Sequence, residues 1–260
     1  MTEQYAPTVS ELSIGDQSGV LIATMDNAPA NAMNRALIRG LTQLFVDLAV
    51  ISDPPAVVIT GRGDRFFTAG GDIKELHGVE ASEIEGRMRD FHAFLTALDR
   101  YPRPVVSAVN GHCVGGGMEL ALFTDNVLAV DHARFGFPEI NHGLLPADKG
   151  IRRAAALLGV RTVRTMLFSG ELFDVRRAVD LGVVDTVVEP TRLVEAAVAT
   201  ARELAGKPPV LYAALKRSVN NPVDADDAGS LRRTLAAADA YFDDPVCKAR
   251  REGWSRKGDR

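Results

Sequence analysis

Val105-Val106-Ser107-Ala108-Val109-Asn110-Gly111-His112-Cys113-Val114-Gly115-Gly116-Gly117-Met118-Glu119 passes from a valine-rich run into a triple glycine and then an acid. The run reads as a buried strand, and the glycines mark a strand-to-helix transition. A second glycine turn, Ala69-Gly70-Gly71-Asp72-Ile73-Lys74, follows a strand-like run of its own. Only a residue without Cβ lets a main-chain N–H come close to a ligand carbonyl, and a helix that starts there points its N–H groups the same way. Two such donors on one oxygen stabilise an enolate or a tetrahedral oxyanion, and losing one costs about 3 to 4 kcal/mol of transition-state binding. The pair therefore points to chemistry on a thioester or ester carbonyl. Taken singly, a triple glycine also serves mere tight packing of helix on sheet. Residues 115–117 lack the G-x-G-x-x-G spacing, and no Gly-Lys-Ser/Thr follows either turn, which argues against a dinucleotide or nucleoside triphosphate.

Outward from these turns, Val20–Thr24, Ala56–Thr60, Val105–Val109 and Val127–Val130 read as short strands separated by helical patterns. Leu37, Leu41, Leu44, Phe45 and Leu48 form one apolar helical face, and Phe91, Phe94, Leu95 and Leu98 another within 78–100, which Tyr101-Pro102-Arg103-Pro104 must end. Strand, helix and strand in alternation imply an α/β fold with parallel crossovers. Beyond Pro190 only helices are expected, over Leu193–Leu204, Val210–Val219 and Leu231–Phe242.

The 260 residues, 46% of them hydrophobic, suffice for one substantial core and a smaller helical appendage. A net charge of −4 argues against a nucleic-acid partner. Lys248, Arg250, Arg251, Arg256, Lys257 and Arg260 crowd the end of the chain and are expected to form a solvated tail. Cys113 and Cys247 give no disulfide framework, and His77, His92, His132 and His142 are scattered without metal-ligand spacing, so no metal is expected. Met1–Gly15 lacks a secretory pattern, and no apolar run approaches the roughly 18 residues that cross a membrane. A soluble cytoplasmic protein without a membrane partner is the expectation. Ser107 lies inside an apolar strand, without the G-x-S-x-G turn of a serine nucleophile.

Several ordered motifs give the chain a family resemblance. Asn31-Ala32-Met33-Asn34, Phe66-Phe67-Thr68-Ala69-Gly70-Gly71-Asp72-Ile73-Lys74-Glu75, Pro104 to Gly111 with the triple glycine, Phe135-Gly136-Phe137-Pro138-Glu139-Ile140, and Gly170-Glu171 to Gly182-Val183-Val184 together resemble the crotonase superfamily of enoyl-CoA hydratases and isomerases, from about Val20 to Asn220. The resemblance implies a ββα-superhelix core of repeated strand-strand-helix units over 1–190, and a helical region over 191–260 that builds a homotrimer, often doubled to a hexamer as a dimer of trimers. By position, the oxyanion-hole amides fall on Gly71 and Gly116, and the two catalytic carboxylates on Glu119 and Glu139. Ala32, Ala69, Asp72, Ile73 and Lys74 fall on the substrate and coenzyme A contacts. Coenzyme A then belongs to the substrate, an acyl-CoA, and no separate cofactor is implied.

Water addition to an α,β-unsaturated thioester needs one group to activate water and another to manage the proton at the α-carbon, which accounts for two acids. The implied activity is hydration of a trans-2-enoyl-CoA. A double-bond isomerase, enoyl or dienoyl, and a non-catalytic acyl-CoA-binding homologue are the alternatives, the last opposed by the retention of both glutamates. After Pro146, where hydratases carry small residues, this chain has Ala147-Asp148-Lys149-Gly150. Asp148 is either a third acid, as in dienoyl-CoA isomerases, or a partner of Lys149 or cap of a helix beginning near Ile151; the cap or pairing is the preferred reading.

Overall fold

The computed structural model describes residues 9–76 and 78–220 and, beyond them, 228, 231, 232, 235, 238, 239, 242, 243 and 245–255. His77, Arg256, Lys257 and Arg260 lie outside the described residues. Of the helix expected over 231–242, positions 231, 232, 235, 238, 239 and 242 are described, all helical.

The larger sheet has six strands: β1 (Leu12–Gln17), β2 (Val20–Met25), β3 (Ala56–Gly61), β5 (Val105–Val109), β7 (Asn126–Ala129) and β10 (Thr186–Val187), in that spatial order. Its first pair is an antiparallel hairpin, and every later neighbour is parallel. Val57, Val58, Ile59, Val105 and Val106 are fully buried, as an unbroken apolar run in a covered parallel sheet requires. A smaller sheet joins β4 (Phe66–Thr68), β6 (His112–Val114), β8 (Arg134–Gly136) and β9 (Phe173–Asp174).

Three successive parallel strands of the large sheet, β3, β5 and β7, each hand the chain to a strand of the small sheet and then to a helix. The units are β3, β4 and α2 (Ala81–Arg100); β5, β6 and α3 (Gly116–Ala121); and β7, β8 and α4 (Asp148–Leu158). This is the strand-strand-helix repeat that the motifs implied. The hand-over is held by asparagines: Asn110 Oδ1 accepts the Gly61 N–H at 2.9 Å, and its Nδ2 donates to Gly63 O and Phe66 O at 2.9 and 3.1 Å. Asn31 Nδ2 donates to Arg62 O and Phe66 O at 2.9 and 2.8 Å. Gly61 is obligatory here, because a Cβ would lie 2.4 Å from Phe67 O.

Helix α1 (Arg35–Ala49) starts where the Asn34 side chain accepts the Leu37 N–H at 2.8 Å, and it buries Leu37, Leu41, Leu44, Phe45 and Leu48 as the spacing predicts. The Phe45 ring meets Tyr101 edge-on at 5.2 Å, where the expected breaker ends α2. After α5 (Val160–Ser169) and α6 (Val175–Asp180), α7 (Leu193–Ala205) lays Leu193, Ala197, Val198 and Ala201 on β3 and β5, inside the main core. Helix α8 (Pro209–Asn220) is tied down by Lys216, whose Nζ pairs with Asp125 at 2.6 Å, while Val210, Leu211, Leu215 and Val219 stay exposed.

The solvated tail is corrected at Arg251. Helix α9 (Pro245–Ser255) buries this side chain, which donates to Gly143 O at 2.8 Å and to Phe242 O, with its guanidinium 4.5 Å from the Phe242 ring. No described helix is long and apolar enough to cross a membrane.

Candidate active site

The two glycine turns meet at the ends of β4 and β6. Gly70 has φ 84°, and a Cβ there would stand 3.0 Å from the Gly116 nitrogen, which measures how closely the turns approach. Gly115, at φ 57° and ψ −126°, takes the chain into α3 through a conformation that only glycine adopts readily. Gly116 opens the helix, so its N–H has no intrahelical acceptor. Beside Gly71, Met33 N–H donates to Gly70 O at 2.8 Å and Asp72 N–H to Met33 O at 3.3 Å, leaving the Gly71 N–H outside the ladder. Both Gly71 and Gly116 line one cavity walled by Met33, Ile38, Ile84, Met88 and Phe91.

Glu119 and Glu139 line the same cavity. Glu119 sits in the first turn of α3 and is 2% exposed. Its Oε1 accepts the Ala147 N–H at 3.4 Å, and Oε2 has no hydrogen-bond partner among the described residues. Gly150 faces it so closely that a Cβ would fall 1.8 Å from Oε2. Glu139 begins a 3-10 turn (Glu139–His142), and although the residue is part-exposed, its Oε2 is closed off and equally unpartnered.

Burial pushes the Glu119 carboxyl well above the usual carboxylate range, the charge of Glu139 adds to this, and the Ala147 N–H offsets it in part. Burial also raises Glu139, to about 7, against a hydrogen bond from its own backbone N–H. Both carboxyls thus hold a proton more tightly than ordinary carboxylates do, the condition under which one member of a pair can donate a proton while the other accepts one. Buried polar atoms without partners in a native fold ask for a ligand or water, and here two acids ask for it together.

Ala69 and Ile73 line this cavity; Ala32, Asp72, Lys74 and Asp148 are not among its lining residues. Lys74 is exposed, and Asp72 caps the turn by accepting the Lys74 N–H at 3.0 Å. Helix α4 begins at Asp148, with Ala147 in the capping position, so the helix starts three residues before Ile151 and Asp148 does not cap it. Lys149 Nζ lies 3.4 Å from Asp99 of α2. His142, read as a scattered histidine, lines the cavity, and burial lowers its pKa toward the neutral imidazole. Its place has a local cause: in a 3-10 turn residues three apart eclipse, so His142 shares a face with Glu139. Arg87 also lines the cavity, and no motif pointed to it.

A family model described as enoyl-CoA hydratase/isomerase matches residues 15–256. The chain is 32% identical to the probable enoyl-CoA hydratase EchA17 of Mycobacterium tuberculosis, over 98% of this chain and 97% of that protein. It is 35% identical to the carnitinyl-CoA dehydratase of Salmonella arizonae, over 76% of this chain and 75% of that one. The crystal structure of an enoyl-CoA hydratase/isomerase from Mycobacterium paratuberculosis superposes with a TM-score of 0.84 at 29% identity, covering 94% of this chain and 98% of that chain. With the family model matched over most of its length and a strand-strand-helix core that carries both glycine turns and both glutamates, the chain belongs to the enoyl-CoA hydratase/isomerase family of the crotonase superfamily.

Proposed function

We propose that the protein is an enoyl-CoA hydratase, adding water reversibly across the double bond of a trans-2-enoyl-CoA to give the 3-hydroxyacyl-CoA. The observation that carries this reading is the pair of carboxyls, Glu119 and Glu139, each with a buried and unpartnered Oε2, in the cavity that Gly71 and Gly116 line. The thioester oxygen accepts hydrogen bonds from the two amides, which lowers the energy of the enolate. Water bridges the carboxyls. Its oxygen bonds to C3 as its proton passes to the ionised carboxylate, and the electrons of the double bond move onto the thioester oxygen. The neutral carboxylic acid then protonates C2 and the carbonyl re-forms. One proton enters the pair and one leaves, so the pair keeps its proton count with the proton now on the other carboxyl, and its return resets the site.

In this reading Ala32, Ala69, Asp72 and Ile73 border the path of the thioester and its pantetheine arm, and exposed Lys74 meets the coenzyme A phosphates. Coenzyme A comes with the substrate and no other cofactor takes part. Residues 1–190 form the catalytic core and 191–260 carry subunit contacts, with α7 shared because it lies on the core. The exposed Val210, Leu211, Leu215 and Val219 of α8 support a subunit contact, and the assembly proposed is a homotrimer or a hexamer built as a dimer of trimers. The protein works in the cytoplasm.

Incubation with a trans-2-enoyl-CoA in ¹⁸O-labelled water tests the reaction. A product heavier by one water, with the label at C3, is expected. An isomeric product without added water assigns the site to double-bond isomerisation instead.

A further inference from the structure

Gly71 is held by an isolated parallel bridge to Met33, resting on the two backbone hydrogen bonds described above. Two bonds are little to fix a glycine, whose backbone is freer than that of any other residue. Arg87 of α2 supplies the rest. Its side chain is buried, lines the cavity, and donates from Nη2 to Met33 O at 3.0 Å, the oxygen that also takes the Asp72 N–H. The guanidinium lies so near Gly71 that a Cβ there would sit 3.1 Å from Nη2.

On its other side, Arg87 Nη1 engages the carboxylate of Glu75, in the 3-10 turn (Ile73–Leu76) that follows Gly71. Both Glu75 oxygens also accept the Arg35 N–H that opens α1, each at 3.1 Å. Arg35 in turn reaches back to α2, with Nε 2.8 Å from Asp90. One planar group thus grips the segment bridged to the glycine and the turn that follows it, and Glu75 balances its charge. A guanidinium offers donors in a rigid fork; an ammonium at the same place keeps the charge and loses the fork.

We infer that Arg87 is a positioning residue, which fixes the direction of the Gly71 N–H by clamping the carbonyl of its bridge partner Met33 to the Glu75 carboxylate of the turn that follows. Through Gly71 it sets how strongly the thioester carbonyl is polarised. The inference rests on the hydratase reading of this site.

A cinnamoyl-CoA carrying a para-amino donor reports the effect directly, since its absorption moves to the red when the thioester oxygen accepts strong hydrogen bonds. Wild type is expected to red-shift the bound probe. Arg87→Lys and Glu75→Gln are expected to lose most of that shift, with kcat on an enoyl-CoA lowered about 10- to 100-fold and KM little changed. Glu75 is part-exposed, so Glu75→Gln decides the matter if Arg87→Lys fails to fold. Variants that keep the full shift and full kcat overturn the role of Arg87 and leave the hydratase reading standing. A wild type that binds the probe without a shift has no working oxyanion hole, and both readings then fall.

Discussion

The carboxyls of Glu119 and Glu139 line one cavity, and the charge on Glu139 adds to burial in driving the Glu119 carboxyl above its ordinary range. Glu119 comes from the helix after the triple glycine, and Glu139 from the turn after the small sheet's β8. Stability is given up here to bury two acids beside one cavity, and the consequences are measurable.

The first concerns pH. Glu139 binds its proton more tightly folded than unfolded, its pKa standing at about 7 against an ordinary 4.5. The folded state therefore holds more protons between those values, and its stability is fullest at low pH and falls as pH rises through about 7. Glu139→Gln removes this cost and is expected to stabilise the protein at pH 8.5 by on the order of 3 kcal/mol, with the gain shrinking toward pH 5. Thermal unfolding of both proteins across that range checks it; parallel curves would contradict it.

Gly150 carries the second. It lies inside α4, where alanine is normally worth about 1 kcal/mol more than glycine, yet a Cβ would fall 1.8 Å from Glu119 Oε2. Gly150→Ala is expected to fold and to displace the Glu119 carboxyl, with turnover down about 100-fold. Steady-state rates beside a circular dichroism spectrum test this, and turnover within twofold of wild type would show that the carboxyl has room to move.

Arg251 anchors α9 to the turn that carries Glu139, through Gly143 O at 2.8 Å. Arg251→Ala leaves buried carbonyls unpaired and is expected to cost about 2 to 3 kcal/mol. Hydrogen exchange at residues 139–143 should quicken in the variant. Unchanged exchange there would mean that the turn stands without its anchor.

Much of the fold is legible in the chain because its parallel strands are buried on both faces: Ala56–Thr60 and Val105–Val109 are apolar runs with a single small hydroxyl residue each, Thr60 and Ser107, and they form β3 and β5. Leu12–Gln17 escaped notice because Gly15, Asp16 and Gln17 interrupt its apolar character, and its antiparallel pairing to β2 comes from the turn at Ser18 and Gly19. Strands β4, β6, β8 and β9 are two or three residues long, too short for any periodicity. The glycine turns and both glutamates could be read from local motifs. Arg87 and Arg251 could not, since each acts on a carbonyl more than 50 residues away in sequence.

The most direct test follows the loss of conjugated enoyl-thioester absorbance with wild type, Glu119→Gln and Glu139→Gln, on a short and a medium trans-2-enoyl-CoA. Wild type is expected to consume the substrate and form 3-hydroxyacyl-CoA, with each variant about 10²- to 10⁴-fold slower. A variant that hydrates as fast as wild type would contradict the shared role of the two carboxyls.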